Sequence, residues 1–174
     1  MKKSYRNLLL VVLLILSAGI TSRTLADDAY ITTTFDDFMR QQYTHDDNAP
    51  FKGYLNVNVT NNTNQAWGDF HFQIMNVGWD VSNVDFIVTS PYAPTSSQSP
   101  LSWAVNNSVV GATLDLYFYG DPVAIGDSAS FTVYTDNTVS QNWFGVMIYP
   151  TPVPEPATMS LLGLGALALL RKKK

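Results

Sequence analysis

The chain has 174 residues and no cysteine, which excludes disulfides, thiolate metal sites and cysteine nucleophiles and leaves stability to the hydrophobic core alone. All fourteen acidic residues lie between Asp27 and Glu155, with only Arg40 and Lys52 basic in that interval, a local net charge of −12. Such a body repels nucleic acid, whose phosphates are held by Lys and Arg, and it stays soluble and draws cations.

The first 26 residues have the layout of a signal peptide. Lys2, Lys3 and Arg6 make a positive start, Leu8 to Leu16 is an unbroken apolar run, and Thr24-Leu25-Ala26 ends on a small residue suited to cleavage before Asp27. The apolar run is short for a membrane span, which takes roughly 20 residues.

From Asp27 to Tyr149 the chain alternates apolar and polar residues in short runs, the pattern of half-buried strands. Leu55, Val57 and Val59 form one such face; Phe70, Phe72 and Ile74 a second; Leu114, Leu116 and Phe118 a third. Phe131 with Val133, and Phe144 with Val146 and Ile148, complete the clear cases. Tyr30 to Phe35, Val84 to Thr89 and Leu101 to Val105 are weaker candidates. Turn chemistry separates the runs, as at Asn61-Asn62-Thr63-Asn64 and Gly120-Asp121-Pro122. Phe35 to Gln42 reads as one helical turn, and Ser90 to Pro100 as a loop with too many breakers for a strand. The expectation is an all-β fold, an antiparallel β-sandwich of about seven or eight strands.

Few residues in this body suggest chemistry. The acidic pairs Asp27-Asp28, Asp36-Asp37 and Asp46-Asp47 could supply oxygen ligands to calcium, the one ion considered, but none has the spacing of a calcium loop. No other cofactor or metal is expected. His45 and His71 are the only histidines, too few for a metal site without more convergent partners. His71 falls on the polar face of its strand. Glu155 is the only glutamate, so a glycosidase-type carboxylate pair would have to be built from aspartates. With no catalytic constellation, the chain reads as not an enzyme. Aromatic rings remain. Trp67 and Trp79 lie beside turns and are the candidates for stacking on sugars.

The C-terminus carries the clearest signal. Val153-Pro154-Glu155-Pro156 closes a proline-rich linker over 150–156 and precedes fourteen mostly apolar residues, Ala157 to Leu170, then Arg171-Lys172-Lys173-Lys174. Prolines keep the motif extended. As a helix the apolar run reaches about 21 Å, against a hydrocarbon core of about 30 Å. The basic cluster favours the cytoplasmic side, stops transfer and can snorkel to lengthen the short transmembrane helix.

This tail resembles the PEP-CTERM sorting signal of Gram-negative bacteria. The resemblance covers about 22 residues and is silent about the body. It implies processing near the Pro-Glu-Pro motif by an exosortase-like membrane protease, transient anchoring in the inner membrane, and a destination at the cell surface or in an extracellular matrix rich in polysaccharide. A structural or adhesive role follows as the leading expectation. A carbohydrate-binding module and a secreted hydrolase are the alternatives.

Overall fold

The computed structural model describes residues 28–46, 51–78, 80–138 and 143–153. The signal peptide, with its cleavage residues Ala26 and Asp27, lies outside the described residues, as do Trp79, Pro154 to Pro156, the proposed transmembrane helix 157–170 and the basic tail 171–174.

Among the described residues, ten strands build two five-stranded sheets. The first sheet contains β1 (Ala29–Phe35), β3 (Lys52–Asn61), β9 (Ser128–Asn137) and β5 (Val84–Ile87) in that order, and β6 (Thr95–Ser96) also pairs with β9. The second runs β2 (Gln41–Asp46), β10 (Trp143–Pro152), β4 (Trp67–Met75), β8 (Thr113–Tyr117) and β7 (Ser102–Asn106).

Alternation explains how the two sheets close on each other. In register, Leu55 faces Val133, Val57 faces Phe131 and Val59 faces Ala129 across β3 and β9, and all six are buried. In the second sheet Val146 pairs with Ile74, Ile148 with Phe72, and Phe70 with Leu116. Seven of the nine phenylalanines are fully buried, and burying each contributes roughly 1.5–3 kcal/mol. They also join the layers. Phe70 of β4 stacks on Phe131 of β9 with centroids 4.6 Å apart, and Phe35 of β1 meets Phe70 edge-on at 5.9 Å. This core does the work that disulfides do in many exported domains.

The all-β sandwich agrees with the alternation, and the differences are local. Phe35 to Gln42 is not a helical turn. It bends after Phe35 and enters β2, whose Tyr43 and His45 sit opposite Val146 and Phe144. Because β2 crosses to the other sheet, the chain returns to the first sheet as β3 running parallel to β1; the sheets are therefore not purely antiparallel. The Ser/Pro-rich loop contributes the two-residue β6, and with β2 this brings the strands to ten. Its Tyr92 folds back to stack on Tyr134 at 4.1 Å. Finally, β10 does not stop at Tyr149. Pro150 pairs with Phe70, Thr151 with Asp69 and Pro152 with Trp67, so the first half of the expected linker belongs to the sandwich.

Candidate functional site

Period two also decides what the outer face of the second sheet displays. On β4 the residues between the buried phenylalanines are Asp69, His71 and Gln73; on β10 they are Met147, Tyr149 and Thr151; on β8 they are Asp115 and Tyr117. Register places His71 directly beside Asp115 on one side and Tyr149 on the other. Three short strands thus assemble a cluster that no single segment contains.

His71 lies at its centre. Its Nδ1 donates to Asp115 Oδ1 at 2.6 Å. Its Nε2 lies 3.4 Å from Asp69 Oδ1, a charge contact without hydrogen-bond alignment. The imidazole stacks on the Tyr149 ring, centroids 4.7 Å apart, and Arg40 covers the same ring, its Cζ 4.7 Å from the centroid. Asp69 is buried. Its Oδ1 accepts from Thr151 N–H at 3.0 Å and Thr151 Oγ1 at 2.6 Å, and its Oδ2 accepts from Tyr119 Oη at 3.0 Å. Tyr117 lies nearly parallel to Tyr119, centroids 6.0 Å apart.

These neighbours shift ionisation in opposite directions. Burial pulls the His71 pKa down, but the two carboxylates outweigh it and hold the pKa above its usual value. Burial likewise pushes the Asp69 carboxyl up, and its contacts with His71 and Thr151 bring it below the usual range. Tyr119 is pushed up to about 12, by burial first and then by its bond to the Asp69 carboxylate. The residue as a whole is 55% exposed, with its hydroxyl bonded to the buried Asp69. Beside the stack, Arg40, Gln73, Met75, Asn76, Val110 and Met147 line a shallow groove of about 290 Å³.

The expected sugar-facing tryptophans do not form this face. Trp67 is fully buried. Although adjacent to a turn in sequence, it starts β4, where Pro152 pairs on one side and Val123 bridges on the other, and its ring packs on Phe35 and Phe70. It is a core residue and offers nothing to a ligand. Trp79 lies outside the described residues. Among the described residues the exposed rings are Tyr30, Tyr119, Trp103 and Trp143. Sequence could have nominated His71, Asp115, Tyr117 and Tyr149 as outward-facing, but not the register that joins them.

Of the acidic pairs, Asp28, Asp36 and Asp37 have described partners, while Asp27 and Asp47 lie outside the described residues. Asp28 accepts from Tyr54 N–H, Asp37 from Met39 N–H and Asp36 from the Asn62 amide. Among the described residues no three His, Asp or Glu side chains converge in a way that could hold a metal ion. His45 is buried, edge-on to Phe144 at 5.0 Å. Among the described residues no helix is long and apolar enough to cross a membrane.

Of the expected sorting residues, Val153 is described. It sits just past β10, its N–H donating to Ala66 O at 2.9 Å. Comparison with known families matches residues 152–174 to the PEP-CTERM protein-sorting motif. The chain therefore carries this signal, that of an exported protein whose C-terminal tail is membrane-anchored until an exosortase, a membrane enzyme, processes it. No curated protein matches the chain.

Proposed function

We propose that this protein is a non-enzymatic component of the cell surface or extracellular matrix, delivered by exosortase processing and acting through its sandwich as a structural or adhesive module. The observation that carries this reading is the junction itself. The sorting motif begins at Pro152, the last residue of β10, so the sorting signal follows directly on the β-body. The Asp69–His71–Asp115 cluster supports a non-catalytic role. Its carboxylates are engaged by Thr151, Tyr119 and His71, whereas a glycosidase holds two carboxylates across a cleft that admits the sugar. Fractionating host cells tests the proposal: the processed body should be retained with surface or matrix material. Recovery only as a freely diffusing species in the medium would overturn it.

A second reading, carbohydrate binding, is favoured by one observation. Tyr117, Tyr119 and Tyr149 line a single outer face among hydrogen-bonding side chains, an arrangement suited to stacking on sugar rings. A net charge of −11 over residues 27–149 favours neutral over acidic polysaccharide. Depletion of the body onto insoluble neutral polysaccharide, lost in Tyr119→Ala, is the expected result. No depletion by any such polymer would remove this reading and leave the first intact.

A further inference from the structure

The end of the sandwich from which the tail leaves has a geometry that constrains where it can sit. Only Pro154, Glu155 and Pro156 separate Val153 from Ala157, the first of the apolar run, so even fully extended the four Cα–Cα steps span only about 13 Å. Val153 is itself pinned. Its N–H bonds Ala66 O, and its side chain lies 3.2 Å from where a Cβ on Gly68 would stand, with the Tyr119 ring 2.5 Å from the same point. The strand end cannot pay out slack without breaking Val153–Ala66 and then the Thr151–Asp69 bonds.

The surface around that exit is built, not loose. Asn61, fully buried, donates through Nδ2 to Gln65 O and Val123 O and accepts at Oδ1 from Thr63 N–H and Oγ1. Gly126 N–H bonds Asn61 O at 2.6 Å. These bonds fix the 118–127 loop beside the exit. That end exposes Met39, Tyr119 and Ile125, which are 71%, 55% and 59% exposed. The opposite end exposes Val109, Val110 and Trp143, so exposure alone does not choose between them. The point where the chain leaves does.

We propose that this exit end, with Met39, Tyr119 and Ile125 at its tip, is a seating surface for the outer leaflet of the membrane that anchors the tail, and holds the body flush against it until processing. The proposal rests on the sorting assignment for the existence of the anchored tail. Tyr119 has its hydroxyl held by Asp69, so it offers this end the apolar side of its ring, and aromatic rings are favoured at the membrane–water boundary. Asp36, Asp37, Asp121 and Asp127 share this end with Arg40, so the matching surface is zwitterionic; anionic headgroups would repel it.

The test uses the full chain isolated from membranes of a host lacking the processing enzyme, reconstituted into phosphatidylcholine vesicles. Because the chain has no cysteine, Ile125→Cys carries one environment-sensitive dye, and Ser82→Cys, exposed near the opposite end, carries the control. Vesicle flotation first reports whether the tail inserts; a chain that does not float defeats the sorting assignment and this proposal with it. In floating chains, position 125 should show blue-shifted emission and quenching by brominated lipid, and position 82 neither. Adding anionic lipid should weaken the quenching at 125. If position 125 is as wet as position 82, or is quenched only once purified processing enzyme is added, the surface is not a membrane seat and only this proposal fails.

Discussion

His71 shows how one side chain can record pH in stability. Its pKa is raised on folding, so it binds a proton more tightly in the folded chain. Its contribution is complete below the unfolded value of about 6.5 and is lost as pH rises through the higher folded value. Asp69 acts oppositely: its pKa is lowered, so its contribution is present above about 3.8 and is lost as pH falls through the folded value. Melting temperature should therefore fall as pH climbs above neutrality, and His71→Gln should flatten that slope. An unchanged slope in the variant would show that His71 is not its source. Gly68 is a steric counterpart. An added Cβ would lie 2.5 Å from Tyr119 Cδ1 and 3.2 Å from Val153 Cγ2. Gly68→Ala should destabilise by about 1–3 kcal/mol in denaturant unfolding, the usual range for overpacking. In a Tyr119→Ala background the loss should shrink, since the two positions share one space.

Among the elements, β10 is the most informative. It is paired on both sides, lying between β2 and β4, and also leads out toward the tail. Its last rungs hold Asp69 in place: Thr151 supplies two of that carboxylate's hydrogen bonds. A chain ending at Tyr149 should therefore be less stable than one ending at Val153 by about 2–4 kcal/mol, from two or three lost bonds and a buried carboxylate left short of donors. Urea midpoints compare the two. Equal midpoints would mean that residues 150–153 are linker in energetic terms, despite their pairing. Proline is tolerated here because Pro150 and Pro152 stand near the end of the ladder, where few amide donors are needed.

At the scale of the whole molecule, charge and hydrophobicity are partitioned along the chain. The acidic body lies between two terminal segments that are apolar and basic, and the sorting motif joins body to tail without an intervening spacer. Glu155 is the single charge between Val153 and Arg171, a natural handle for a basic pocket in the processing enzyme. Glu155→Ala leaves the apolar run untouched, so insertion should proceed while release of the tail is blocked. Immunoblots of host membranes should show the unprocessed form accumulating. Processing at the normal rate would reduce the tail to a plain anchor.

The sequence by itself determined the inner faces and the address. Period-two alternation is local, so Leu55, Phe70, Leu114 and Phe131 announced their burial without knowledge of their partners. The sorting motif is read by order and position alone. Pairing partners were beyond reach, because register and sheet assignment depend on contacts between residues far apart in the chain. Hence Phe35 to Gln42 reads locally as a helical turn although it leads into β2, nothing local shows β1 and β3 running parallel, and Trp67, beside a turn in sequence, is buried by Pro152 and Val123 from distant segments. The His71 cluster has the same origin. Asp69, Asp115 and Tyr149 meet around it only because β4 lies between β8 and β10, an order that burial of both inner faces selects and no single segment encodes.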